Sequence, residues 1–136
     1  MNPWNERNKM VIEQFRAHGG QIEGNAPLIL LTTIGAKTGQ PRIAPLMLVT
    51  DGERILAVAS KGGYPQHPDW YLNLLAHPEV TVEVGSEKFE TTAKILTGKE
   101  RELAFARAAE VFPPYAEYQK KTDREIPVIA LERPGR

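Results

Sequence analysis

The sequence predicts a mainly β protein: an antiparallel barrel of six strands carrying helices on its surface. Three observations carry that prediction. Short apolar, β-branched runs recur along the chain, hairpin-length turns join most of them, and the helical stretches between or after them are short. A closed barrel also leaves no unpaired sheet edge.

The elements follow in order. Trp4, Val11, Ile12 and Phe15 recur near helical spacing with charges between them, and His18-Gly19-Gly20 ends the pattern. An amphipathic helix over about 3–18, packed on the outside, is expected. Leu28 to Ile34 is a continuous apolar run, the Gly35-Ala36-Lys37-Thr38-Gly39 loop closes it, and Arg42 to Thr50 resumes extended character. Pro45 removes a ladder donor, which puts that second strand at an edge or a bulge. Arg54 to Ala59 reads as a third strand. A helix follows from Pro68, near its first turn, to His77, stopped by Pro78. Val80, Val82 and Val84 alternate strictly up to a Gly85-Ser86 turn, and Phe89, Thr91, Ala93 and Ile95 alternate beyond it. This is the clearest half-buried hairpin. Thr97 and Glu100 have the spacing of a capping box for a helix through about Phe112; Pro113-Pro114 breaks it, a shorter helix carries Tyr115 and Tyr118, and Ile126 to Leu131 is the last strand.

Composition bounds the function. At 136 residues the chain fits one domain, read as an N-terminal helix and connector (1–25) followed by the barrel (26–132). Lys plus Arg (17) balance Asp plus Glu (17), so there is no ground for a nucleic-acid partner, and any electrostatic function must be local. The absence of cysteine excludes disulfides, thiolate metal sites and cysteine nucleophiles. No signal-peptide core or bilayer-length run is present, so a cytoplasmic location is expected.

The chemistry-bearing stretches are few. Gly35 to Gly39 is not a phosphate-binding P-loop, because Ala36 precedes the lysine and a strand follows. Taken alone the stretch reads as an exposed turn with a solvated Lys37; what speaks against that is the company of Arg42 just past the turn and Lys61 at the end of the neighbouring strand. Ser60-Lys61-Gly62-Gly63 ends the third strand just before a helix; the glycines allow positive φ and close backbone approach, and the helix start and Lys61 favour an anion. Asp69 competes for the same N–H groups. Ser60 lacks a nucleophile elbow and a base, so it reads as a hydrogen-bonding hydroxyl. His67 and His77 stand too far apart for an i, i+4 ligand pair, and a catalytic metal is not expected. Trp70 and Tyr71 point to different helix faces, one toward the core. Phe112, Tyr115 and Tyr118 form either helix packing or an aromatic wall over a flat ligand. With no acid, base, nucleophile or metal set, catalysis requires an organic cofactor.

Several blocks in order resemble the deazaflavin-dependent nitroreductase family, the actinobacterial F420H2-dependent quinone reductases. They are Leu-Leu-Thr-Thr-Ile-Gly-Ala-Lys-Thr-Gly at 30–39, Pro-Arg-Ile-Ala-Pro-Leu-Met at 41–47, Ala-Ser-Lys-Gly-Gly at 59–63, His-Pro-Asp-Trp-Tyr-Leu-Asn-Leu at 67–74, Pro-Pro-Tyr-Ala-Glu-Tyr-Gln at 113–119 and Thr-Asp-Arg-Glu-Ile-Pro-Val at 122–128. The resemblance implies a split β-barrel related to flavin-binding pyridoxamine-phosphate oxidases. It also implies that coenzyme F420 is held by Ala36, Lys37 and Thr38, by Arg42, Ile43, Ala44, Pro45, Leu46 and Met47, by Val58, Ala59, Ser60 and Lys61, by Asp69, Trp70, Tyr71, Leu72 and Asn73, and by Tyr115. Lys37, Arg42 and Lys61 would serve the anionic tail. Ser60 and Tyr115 would stand by the reactive end of the ring, with Phe112, Tyr115 and Tyr118 toward a quinone, nitroaromatic or other activated acceptor. Phe112 and Met47 stand where some relatives carry tyrosines, which counts against nitroimidazole-type reduction. An FMN-using oxidoreductase and a non-catalytic F420 carrier are the alternatives. Monomer and homodimer both fit, as does contact of the amphipathic N-terminus with a quinone-bearing membrane.

Overall fold

In the computed structural model, residues 3–19 and 27–134 are described, with side chains of the first helix described from Lys9 onward. Eight strand segments, β1 (Leu28–Ile34), β2 (Pro41–Met47), β3 (Val49–Asp51), β4 (Arg54–Val58), β5 (Glu79–Val84), β6 (Glu87–Thr92), β7 (Lys94–Ile95) and β8 (Val128–Leu131), are joined by antiparallel ladders. They make two four-stranded sheets, ordered β2-β1-β5-β6 and β3-β4-β8-β7. Four helices accompany them among the described residues: α1 (Pro3–Ala17), α2 (Asp69–Ala76), α3 (Gly98–Val111) and α4 (Pro114–Lys120).

The expected six-stranded closed barrel is therefore corrected to two sheets, and the reason lies at two bends. The run from Arg42 to Thr50 divides at Leu48, whose N–H is still held by the Pro27 carbonyl (2.9 Å) on the first sheet while Val49 already pairs with Leu56 on the second. The run from Phe89 to Ile95 divides in the same way. Ala93 N–H donates to the Pro78 carbonyl (2.8 Å), and Lys94 then pairs with Ala130. Pro27 and Pro78 accept a ladder bond but have no N–H to return one, so each ladder stops there and the strand passes to the other sheet. Pro45 does lie on an edge strand, since β2 ends the first sheet.

The second sheet is apolar on both faces. Ile55, Ala57, Ile129 and Leu131 join Ile29, Leu31, Trp70, Leu74 and Val82 in one core, while Leu56, Val58, Val128 and Ala130 join Ala104, Ala108 and Tyr115 in another. A strand covered on both sides reads as an unbroken apolar run, which is how β4 and β8 look in sequence. The second core lies under α3 and α4.

Helix ends follow the sequence with one exception. α1 buries Phe15 (2% exposed), and Arg16 grips Glu83 of β5 through Nε–Oε1 at 3.1 Å and Nη2–Oε2 at 2.9 Å. The Trp4 side chain lies outside the described residues. Pro68 is the N-cap of α2, and Pro114 opens α4. The capping box of α3 does not form: Thr97 makes no side-chain cap bond. Glu100 turns instead to Arg54 (3.3 Å) and Lys94 (3.9 Å), charged partners that outbid a single backbone N–H.

Candidate functional site

The β1–β2 turn is fastened to α2 by one buried amide. Ala36 N–H donates to Asn73 Oδ1 (2.9 Å), and Asn73 Nδ2 donates to Thr33 Oγ1 (3.2 Å). Helical phase turns Asn73 and Trp70 inward, and Trp70 joins the core while Asp69 and Leu72 stay exposed. Tyr71 is half-buried, its ring 4.7 Å from that of His67. Lys37 and Thr38 project from the fastened turn, and Thr38 Oγ1 accepts from Gln40 N–H at 3.2 Å.

Register then sorts the next stretch. Thr33 pairs with Arg42, Leu31 with Ala44 and Ile29 with Leu46, and directly paired residues share a sheet face. Arg42, Ala44 and Leu46 therefore face the α2 side, whereas Ile43, Pro45 and Met47 face the other way. The six do not form one surface. Among the described residues, Arg42 is the one arginine whose side chain makes neither a hydrogen bond nor an ion pair.

Val58 at the end of β4 and Ala59 and Ser60 beyond it are buried, and Lys61 is exposed. Lys61 has φ 46°, the single positive value among the described non-glycine residues, and Gly62 (63°) and Gly63 (83°) continue the left-handed turn. Ser60 is right-handed (φ −78°, ψ −39°), and a right-handed residue followed by a left-handed one turns successive N–H groups to one side, a concavity suited to an anion. The two glycines differ. A Cβ on Gly63 would lie 2.7 Å from Tyr118 O and 3.0 Å from Tyr118 Cα of α4, whereas one on Gly62 meets nothing within 4 Å. The close approach foreseen for this pair is thus made to the protein itself. Gly63→Ala is expected to lose about 3 kcal/mol by urea unfolding, adding a backbone clash to the left-handed penalty, and Gly62→Ala about 1 kcal/mol. Equal losses would contradict the α4 contact.

Arg124, which the sequence reading did not single out, holds this loop. Its Nη1 donates to Ala59 O (3.1 Å) and meets His67 Nδ1 (3.2 Å), Nη2 donates to Ser60 O (2.7 Å), and Nε donates to Tyr64 O (2.9 Å). Arg124 is itself placed by a buried network. Arg101 donates to Ile126 O (2.6 Å from Nη2, 3.1 Å from Nε) and to Gln119 Oε1 (2.9 Å); Gln119 accepts from Ile126 N–H (2.9 Å) and donates to Arg124 O (2.8 Å). The only signal in sequence was an arginine between two acids, in the loop before a buried strand.

The aromatic trio forms one cluster. Phe112 meets Tyr115 edge-on at 4.9 Å, and Tyr118 stands 6.3 Å from each. Tyr115 is 6% exposed, and burial, with Tyr118 adding to it, pushes its hydroxyl up to about 12. It therefore stays protonated, a donor rather than a base. Neither Ser60 Oγ nor Tyr115 Oη has a hydrogen-bond partner among the described residues, yet neither is cut off from solvent. Two surface hollows, of about 390 Å³ beside Arg54 and Arg133 and about 430 Å³ beside Ile34 and Thr91, contain none of these residues.

Comparison with known proteins points the same way. Residues 4–133 match the family model for F420H(2)-dependent quinone reductase. The chain is 42% identical over 120 residues to an F420H(2)-dependent quinone reductase of Mycobacterium tuberculosis (strain ATCC 25618 / H37Rv), covering 85% of this chain and 79% of that one. A solved F420-H2 dependent reductase is 50% identical with a TM-score of 0.73, over 78% of this chain and 94% of the other. A domain-swapped dimer is 44% identical with a TM-score of 0.75, over 95% and 97%.

Proposed function

The chain belongs to the F420H(2)-dependent quinone reductase family, and we propose that it is an oxidoreductase that passes a hydride from reduced coenzyme F420 to a quinone. The observation that carries the cofactor assignment is Arg42: in a protein whose other described arginines are all engaged, it stays unpaired on the side of the sheet that α2 covers. A cation kept free of carboxylates suits a polyanionic tail.

Lys37, Arg42 and Lys61 would hold that tail, helped by the Ser60–Lys61 concavity. Ala36, Thr38, one face of the 42–47 strand, Val58, Ala59 and residues 69–73 would flank the ring, with Asn73 also fixing the 36–38 turn. When bound, F420H2 supplies the hydride. Ser60 and Tyr115 offer hydroxyl donors to the negative charge that develops on the acceptor oxygen, and Tyr115, protonated throughout the working pH range, can give a proton but not remove one. Phe112 and Tyr118 pack against the Tyr115 ring and would hold it in place at that end.

Phe112 and Met47 offer no hydroxyl, so a quinone is the acceptor we assign and a nitroimidazole is not. The fold bears no helix, among the described residues, long and apolar enough to cross a membrane; we place the protein in the cytoplasm, and the 44%-identical domain-swapped dimer supports a homodimer. Adding menadione to protein and F420H2 should restore the absorbance of oxidised F420. Tight FMN binding with indifference to F420 would overturn the cofactor, and F420 binding without menadione turnover would leave a carrier in place of a reductase.

A further inference from the structure

The loop from Ala59 to His67 connects a buried strand to α2, and its geometry is costly. Three consecutive residues, Lys61, Gly62 and Gly63, have positive φ, one of them a lysine. A backbone in that region persists only where its surroundings hold it there. Two devices do so on this loop. Gly63 is wedged against the Tyr118 backbone, and the Arg124 guanidinium spans the loop from Ala59 and Ser60 at its start to Tyr64 and His67 at its end.

The Arg124 contacts are unusual in kind. They use four of the five guanidinium N–H donors, and every acceptor is neutral: three backbone carbonyls and a ring nitrogen. No carboxylate pairs with Arg124 among the described residues; Glu125 beside it reaches toward Arg101 at 3.8 Å. Arg124 therefore adds no ion pair. Its bonds do one thing, which is to fix where the carbonyls and the ring of residues 59–67 sit.

We propose that Arg124 is the positioning residue of the cofactor loop and that neutral His67 is its fourth anchor, so that protonating His67 releases one end of the loop. The inference rests on the reading that Ser60 and Lys61 contact F420. His67 Nδ1 accepts from Arg124 only while the ring is neutral with its proton on Nε2; a protonated ring presents N–H to N–H and one cation to another. The titratable groups that face His67 are Arg124, from the loop before β8, and Tyr71, from α2. Among the described residues no carboxylate acts on the ring to stabilise the imidazolium.

Burial, and after it the charge of Arg124, holds His67 below its ordinary value. In the unfolded chain His67 takes up a proton near pH 6.5, while in the fold it resists until lower pH. Because the unfolded state binds more protons in that interval, stability is complete above about pH 6.5 and falls as pH drops below it. The loop is the place where that loss is felt first.

Four variants decide the matter: Arg124→Gln, Arg124→Lys, His67→Asn, whose amide oxygen replaces Nδ1 as acceptor without titrating, and Arg133→Gln, which breaks an exposed pair with Glu87 away from the loop. Amide hydrogen exchange of residues 59–67, measured on the protein without cofactor, reports the loop directly; F420 titration and menadione turnover report the site. Arg124→Gln should speed exchange in 59–67 while β1 and β5 stay protected, and raise the KM for F420H2 about tenfold or more with a smaller effect on kcat. Arg124→Lys should not restore either, since one ammonium cannot reach both ends of the loop. Arg133→Gln should match the parent protein. Between pH 7 and 5.5 the parent should show falling protection of the loop, exchange being referred to the intrinsic rate at each pH, and rising KM, and His67→Asn should flatten both. Unchanged loop exchange and KM in Arg124→Gln, or full rescue by lysine, overturns the positioning role; an acid response in His67→Asn equal to the parent's overturns the role of His67. If Arg124→Gln does not fold, Arg124→Lys and His67→Asn still decide. Should the parent protein itself fail to bind F420, the proposed function falls, and loop exchange alone then judges Arg124.

Discussion

Arg101→Met is expected to remove about 3 kcal/mol from the stability of this protein, because the substitution leaves Ile126 O without a partner inside the fold and takes from Gln119 Oε1 the charged one of its two donors. Arg101 is 8% exposed, so water replaces those bonds poorly. Trading a buried charge for an apolar side chain of similar length can be neutral when all its partners are removed too. Here they remain. The guanidinium also lies 4.5 Å over the Phe105 ring, a contact methionine partly keeps. Equilibrium unfolding in urea, with amide exchange at Ile126, provides the measurement. A loss below about 1 kcal/mol with Ile126 still protected would show that the 119–126 segment holds itself in place without Arg101.

The second large effect is on binding and leaves the fold alone. The double variant Arg42→Gln with Lys61→Gln should weaken F420 binding about a hundredfold at low ionic strength, two charge-assisted contacts being lost, with no change in Tm. The thermal result follows from the structure: neither side chain has a partner among the described residues to lose. The binding loss should shrink as salt rises, since the screening length falls from about 30 Å at 0.01 M to about 3 Å at 1 M. Lys61→Ala alone should show the same trend at smaller amplitude. A loss equal at all salt concentrations would move both residues out of the tail site.

How much of this could be read beforehand depends on the distance over which each feature is decided. The β5–β6 hairpin is local: Val80, Val82 and Val84 alternate, Gly85 turns, and the register follows. β4 and β8 were legible as continuous apolar runs, although only the fold shows that their two faces feed different cores. The bends at Leu48 and Ala93 were not legible, because each depends on a proline carbonyl 21 or 15 residues earlier in the chain. The Glu100 half of the capping box is lost for a related reason, its carboxylate being drawn off by Arg54 and Lys94 from other elements.

The candidate site divides along the same line. Residues identified by sequence blocks, such as Lys37, Lys61 and Tyr115, were named in advance, and the fold adds what each has for company. Asn73 was named as a cofactor contact, and the fold adds that it fastens Ala36 N–H and Thr33 Oγ1. Arg124 lay within one of the quoted blocks and was passed over, because its partners are backbone carbonyls about 60 residues away, which carry no side-chain signature.

The backbone at residue 61 has a last consequence. A third glycine would adopt φ 46° there without penalty, and the chain already places glycine at the next two positions. Lysine at that point makes the fold less stable than its own local geometry permits, by about 1 kcal/mol. Stability has been given up at this residue for a charge that no described residue of the folded chain uses, and such a sacrifice marks where a sequence is shaped by something outside itself.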